Sequence, residues 1–399
     1  MVTATGYAYP WDFAGDPAAA ERAREAGVET VAVAANYHST RAATPLHPRH
    51  RLVDAEHAAC YLPVRPAAWQ GMRLVPRVPR WTVPDSFTVA RKALVAAGLR
   101  VAAWTVLTHN SVLGRENPDL VRRNAFGEPY PYALCPQAPQ VADYCATLVH
   151  EVALLGEADG LILEAAGPLG VDHGGHHDKT EFAQWTTVQR QLLSLCFCAS
   201  CRRLQRASGL DPERVAAQVR AALGPPQSPP KSPEEALGAQ TAAVLRAGAD
   251  ASASALHARL VATARTAAPG IRVTLHGSAS PWATGAFAPV GPTVAEGIDA
   301  VVANCWAVDS EAGSGSDYGS VSGPGGGAVA ALRDLAPPAT AVGGYFRPET
   351  LPAEEEGLGA LAARLVAAGL SEAHLYHLGL VPLAGLDRLR GLVAALRSA

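Results

Sequence analysis

Charge is scarce in this chain. Only 17% of its 399 residues are Asp, Glu, Lys or Arg, the formal net charge is −3, and no stripe of Lys and Arg forms. Nucleic acid or an anionic membrane is therefore not expected as the main partner. Long apolar runs are missing too: none reaches the roughly 18 residues of a membrane span. The opening MVTATGYAYPWDF has neither a basic segment nor an apolar stretch of the secretory kind, so no signal peptide is expected. These absences predict a soluble cytoplasmic protein, in which cysteines stay reduced and a cluster of them points to metal rather than disulfides. No internal repeat is visible beyond an alternation of strand-like and helix-like segments.

What is present is a folded, turn-rich chain: 49% of residues are hydrophobic, with 37 Gly and 31 Pro. Short β-rich runs at 3–10, 30–38, 100–110, 159–165, 271–277, 299–305, 340–346 and 373–379 alternate with Ala/Leu/Arg segments of helical spacing. Several of the helical segments end at Gly, a common stop. Continuous apolar strands between amphipathic helices imply a parallel sheet with helices outside it. Eight such units predict a closed (β/α)8 TIM barrel as a single domain over 1–399. An open doubly wound sheet fits less well, because no Gly-rich phosphate loop follows the first strand. Long excursions are expected after strand two (39–98) and strand four. The latter, 166–262, is read as an insertion carrying a His-rich loop, a cysteine cluster and the Pro/Ser-rich linker GPPQSPPKSPEE. A Gly/Ser-rich loop at 310–327 reads as a solvated connector, with a flexible lid as the alternative.

In such barrels the site lies at the C-terminal ends of the strands. Strand one ends near Tyr9, Trp11 and Asp12, strand two at Asn36, Tyr37 and His38, and strand three at Thr108, His109 and Asn110. Strand four delivers Glu164, strand five His276, and strand six Asn304 and Trp306. Strand seven delivers Tyr345, Arg347 and Glu349, and strand eight Tyr376 and His377. Aromatic faces stack on sugar rings while amides and imidazoles bind hydroxyls, so this set suits a carbohydrate better than a phosphate ester. Glu164 follows DGLIL at the mouth of a buried strand. Partial desolvation there raises a carboxyl's pKa and suits it to general acid work; the alternative is a rim Glu satisfied by a neighbour. The loop DHGGHHDK places Asp172, His173, His176, His177 and Asp178 together, where a divalent metal, a substrate or only solvent is contacted.

Cys196, Cys198 and Cys201 form C-x-C-x2-C. Three thiols do not close a tetrahedral zinc site; Cys135 is the best fourth donor, with the His-rich loop as alternative. A Glu after strand four followed by C-x-C-x2-C-R resembles glycoside hydrolase family 42, the clan A β-galactosidases. The segments NYHSTRAATPLHPRHR and GEPYPYALCPQAPQVADY also resemble uncharacterised barrel proteins grouped as hypothetical glycosyl hydrolases. The first resemblance implies a structural zinc held by Cys135, Cys196, Cys198 and Cys201, with Glu164 as acid/base residue and a retaining mechanism. The pattern also departs: Leu163 stands where the clan has Asn, and Glu349 lies beyond the expected place of the nucleophile. Retention needs carboxyls about 5–5.5 Å apart and inversion about 6.5–9.5 Å, which keeps Asp12, Asp172 and Asp309 as alternatives to Glu349.

The expectation is a glycoside hydrolase acting on a small carbohydrate or glycoside, with Glu164 and Glu349 catalytic. Trp11, Tyr37, His38, His109, Asn110, His276, Asn304, Trp306, Tyr345, Arg347 and His377 would bind the sugar. The alternatives are a non-hydrolytic carbohydrate-binding protein on a degenerate glycosidase barrel, and a metal-dependent hydrolase using the His173–Asp178 loop. Ala-rich outer helices are compatible with a homo-oligomer.

Overall fold

The computed structural model describes residues 1–172, 179–224, 229–306 and 326–399. Eight parallel strands pair in chain order: β1 (Thr3–Ala8), β2 (Thr30–Tyr37), β3 (Arg100–Val106), β4 (Gly160–Glu164), β5 (Arg272–Ser278), β6 (Ala300–Asn304), β7 (Ala341–Phe346) and β8 (Glu372–Leu375). β8 pairs with β1, which closes the sheet into a barrel. The strands read as unbroken apolar runs because helices cover their outer faces and side chains fill the interior. In β4, GLILE, all five residues are buried.

The outer helices are α1 (Ala19–Glu25), α2 (Ser86–Ala96), α3 (Pro139–Gly156), α4 (Ala239–Ala267), α5 (Gly326–Leu335), α6 (Glu355–Ala367) and α7 (Leu383–Ser398). The architecture is a (β/α)8 barrel with one unit altered. Residues 279–299 link β5 to β6 without a helix, through the short strand Ala288–Pro289. The local chemistry explains this: Gly285, Gly291 and Gly297 adopt left-handed φ of 112°, 87° and 84°, and prolines interrupt the remainder. No helix of the described residues is long and apolar enough to cross a membrane.

Between β2 and α2 the chain forms an antiparallel hairpin, Thr40–Ala43 with Leu52–Ala55, and a single turn of 3-10 helix at Pro66–Trp69. Between β3 and α3 lies a second hairpin, Val121–Arg123 with Pro129–Leu134. Between β4 and α4 stand four short helices, Thr187–Leu193, Ala199–Ala207, Pro212–Leu223 and Pro233–Leu237. They share a small core of their own (Leu192, Phe197, Val215, Ala216, Val219 and Leu237), joined by Ala125 from the second hairpin. The Pro/Ser-rich linker ends in structure: Ser232 caps the Pro233–Leu237 helix by accepting from the Glu235 amide. His173, His176, His177, Asp178 and Asp309 lie outside the described residues, as does nearly all of the Gly/Ser-rich loop.

Candidate active site

Glu164 ends β4 with its side chain inside the barrel mouth and only 6% of its surface exposed. The β3–β4 register sets Val106 opposite Glu164 and Trp104 opposite Ile162. The indole Nε1–H of Trp104 reaches the carboxylate and donates to Oε2 at 2.7 Å. From β5, His276 Nδ1 lies 3.2 Å from the same oxygen, an ion-pair distance off the ideal line of its N–H. Burial pushes the Glu164 carboxyl up, but His276, His38 and Trp104 more than offset it, so the net shift is downward. This reverses the expectation of a raised carboxyl: strand four supplies desolvation, while neighbouring strands supply donors the local sequence does not reveal.

Tyrosines wall the carboxylate. Burial raises the pKa of Tyr7, Tyr37, Tyr345 and Tyr376, and the negative charge of Glu164 adds to the rise in each. Trp104 packs edge-on to Tyr7 at 5.0 Å and to Tyr37 at 4.5 Å. Trp306 stacks on Tyr345 at 5.7 Å, and the Arg347 guanidinium sits 4.4 Å from the Trp306 ring. His109 and His38 pack at 4.3 Å. Trp11 and His377 lie against Tyr9, at 4.4 Å and 4.3 Å. His377 accepts from the Gly379 amide through Nδ1, and burial lowers its pKa to about 3, which keeps the imidazole neutral.

The amides face the protein. Asn110 caps the helix Ser111–Glu116 by accepting from the Leu113 amide at 3.0 Å. Asn36 donates to the Val106 carbonyl at 2.6 Å, and Asn304 accepts from the Trp306 amide at 2.9 Å. Each therefore shapes the rim through backbone groups.

No carboxylate pairs with Glu164 among the described residues. Glu349 is exposed on the 3-10 turn Pro348–Thr350 after β7 and shares no hydrogen bond or ion pair with the Glu164 cluster. Asp172 pairs with Arg190. Asp12 is buried, accepts from the Tyr9 amide at 2.8 Å, and is pushed up to about 7 by burial. Gly379 lies against Asp12; a Cβ there would stand 2.1 Å from its carboxylate, so only glycine fits.

The cysteine cluster lies apart. Cys135 follows the second hairpin, and Cys196, Cys198 and Cys201 lead into the helix Ala199–Ala207. The four ligand sulfurs lie within 4.8 Å of one another, with Cys135 Sγ 3.6 Å from both Cys198 and Cys201. Zn–S bonds of about 2.3 Å in a tetrahedron set sulfurs about 3.8 Å apart, so the donor set fits zinc. The Arg123 amide donates to Cys196 Sγ at 3.5 Å. Buried Arg122 stands beside the sulfurs: burial works against its charge, but the sulfurs hold it protonated.

The relatives in structure follow from this barrel and mouth. No family model and no curated protein matches the chain. Among solved structures it is similar to the PgaB (BpsB) glycoside hydrolase domain from Bordetella bronchiseptica, at 15% identity and TM-score 0.55, covering 98% of this chain and 99% of that one. It is similar to α-L-fucosidase isoenzyme 2 from Paenibacillus thiaminolyticus, at 14% identity and TM-score 0.55, covering 100% of this chain and 49% of that one. It is also similar to a catalytic mutant of Gan42B, a family 42 β-galactosidase from G. stearothermophilus, at 11% identity and TM-score 0.51, covering 99% and 56%. The chain thus spans about half of the fucosidase and of that β-galactosidase. At these identities the likeness establishes the fold.

Tyr7, Trp104, His374 and Glu372 were not singled out from the sequence. Their signal is a polar or aromatic residue on the inward face of a strand, repeated at i+2, as in Tyr7/Tyr9 and Glu372/His374/Tyr376. It is weak because each strand offers only one or two such positions.

Proposed function

We propose that the protein is a glycoside hydrolase-like enzyme acting on a carbohydrate or glycoside, with Glu164 as its reacting carboxylate. One observation carries this reading: a buried, ionised carboxylate at the C-terminal mouth of the barrel, held by an indole N–H and an imidazole and walled by tyrosines. An anion in that setting stabilises positive charge developing at an anomeric carbon, and aromatic rings offer faces to the sugar. Glycoside hydrolases among the structural neighbours support the substrate class. Asp12, neutral up to about pH 7, is the better-buried second carboxyl and Glu349 the exposed one. The test is a panel of aryl glycosides assayed with the wild type and Glu164→Gln. Loss of at least about 100-fold in rate on a cleaved glycoside supports the role; full activity in the variant ends it.

A second reading, a non-hydrolytic carbohydrate-binding protein, is favoured by the lack of a carboxylate paired with Glu164 among the described residues. It predicts sugar binding by calorimetry with no turnover of any glycoside. For the cysteine cluster we propose a structural zinc that ties the second hairpin to the insertion after β4. The fit of four sulfurs at tetrahedral spacing supports it. One zinc per chain by elemental analysis is expected, and no metal in protein purified without chelator would contradict it.

A further inference from the structure

A line of polar side chains runs through the barrel from mouth to floor. Glu164 meets His276 at 3.2 Å; His276 Nε2 meets the Tyr7 hydroxyl at 2.7 Å; the same hydroxyl meets His374 Nδ1 at 2.9 Å; and His374 Nε2 meets Glu372 at 3.3 Å. Glu372 opens β8 at the barrel floor, where it pairs with Arg272 at the start of β5. Tyr7, His276 and His374 are buried to within 1%. The packing is built around the line. A Cβ on Gly343 would stand 2.9 Å from the His374 ring, and Trp104 and Tyr345 clamp the Tyr7 ring edge-on at 5.0 and 4.8 Å.

Counting protons shows what this line does. Its five groups make four contacts, and each contact needs one proton. Two carboxylates, two neutral imidazoles and one phenol supply only three. Glu372, held ionised against burial by His374 and Arg272, orients the chain from below. His374 Nε2–H donates to it, the Tyr7 O–H donates to His374 Nδ1, and His276 Nε2–H donates to the Tyr7 oxygen. That leaves His276 Nδ1 bare against the Glu164 carboxylate, two acceptors face to face.

We propose that this axial chain makes the His276–Glu164 pair bind a fourth proton, and that this is the proton the site delivers. Tyr7, His374 and Glu372 are thus positioning residues. The inference rests on the glycoside reading only for where the proton goes. In that reaction an N–H bond at His276 Nδ1 breaks, and an O–H bond forms on the leaving oxygen by way of Glu164. The water that adds to the anomeric carbon returns one proton to the pair. Glu164 therefore serves as an acid by sharing its neighbour's proton rather than by having a high affinity of its own.

The groups facing the mouth pair are Trp104 from β3, His38 beyond β2, and the phenols of Tyr7, Tyr37, Tyr345 and Tyr376. Those facing the floor are Arg272 and His374. Phenols keep their protons here, so the histidines and carboxylates alone exchange them.

The test reads histidine ring nitrogens by 15N NMR across pH and needs no substrate. In the wild type, His374 is expected to carry its proton on Nε2 and His276 to carry protons on both ring nitrogens. A His374 protonated on Nδ1 would overturn the proposal. Glu372→Gln supplies an amide donor to His374 Nε2 and reverses the chain, so that its N–H and the three protons of His374, Tyr7 and His276 satisfy all four contacts. His276 is then expected to carry a single proton, on Nδ1. Tyr7→Phe cuts the chain while keeping the ring, and Glu372→Gln added to it should leave the His276 ring nitrogens as Tyr7→Phe alone leaves them. An equal Glu372→Gln shift with and without Tyr7 would show a field through space and refute the relay. If the relay holds and no glycoside is cleaved, only the functional reading fails.

Discussion

Two buried polar clusters lie in this molecule, and they are built in opposite ways. The cysteine cluster takes three of its four donors from one six-residue stretch, Cys196 to Cys201, at the edge of the small insertion core. The Glu164 cluster takes one residue from each of several strands across the barrel. The first is a local motif that chain spacing can encode; the second exists only once the sheet has closed. The first gathers four sulfurs between the second hairpin and the helices after β4, whereas the second surrounds one carboxylate with donors from neighbouring strands. A buried cation stands beside the sulfurs in one case, and an indole N–H with a neighbouring imidazole holds the carboxylate in the other.

The largest expected effect breaks the cysteine brace. Cys198→Ser tests the proposed zinc site: loss of zinc and of several kcal/mol in chemical denaturation is expected, because metal binding free energy is folding free energy. An unchanged midpoint with metal retained would dissolve the contrast between the two clusters. Next, Trp104→Phe deletes the 2.7 Å donor to Glu164. The titration of the carboxyl, followed by 13C NMR, should then move up, at a cost of about 1–3 kcal/mol in stability at neutral pH. Asp12→Asn tests burial without donors. Burial raises the native carboxyl to about 7, above its unfolded value, so the native state binds the extra proton and stability falls as pH rises through that window. The variant should lose this dependence and exceed the wild type at pH 8 by on the order of 1–2 kcal/mol. The smallest effect is Asn110→Ala, which loses a helix cap at the rim and should cost about 1 kcal/mol by thermal unfolding.

The contrast also explains what was legible in the sequence. Eight apolar runs between helical segments imply the barrel because period and connection length are local properties. No helix stands between β5 and β6, where glycines and prolines across 279–299 break the repeat. Cys135 was readable as the fourth sulfur because it sits in a loop that faces the same end. Glu164 was readable from DGLIL, but its protonation was not. The donors Trp104 and His276 come from 60 residues before it and 112 after it in the chain, and only strand register brings them together. Asn110 and Asn304 accept from backbone amides through Oδ1, because short amide side chains at strand ends are also good caps.

The central claim is that chemistry happens at Glu164. A crystal structure of the Glu164→Gln protein with a glycoside that the wild type cleaves tests it most directly. The scissile oxygen or anomeric carbon is expected within about 3.5 Å of the substituted side chain, with the sugar ring on the tyrosine wall. A sugar bound elsewhere on the barrel, with this side chain facing only protein, would contradict it.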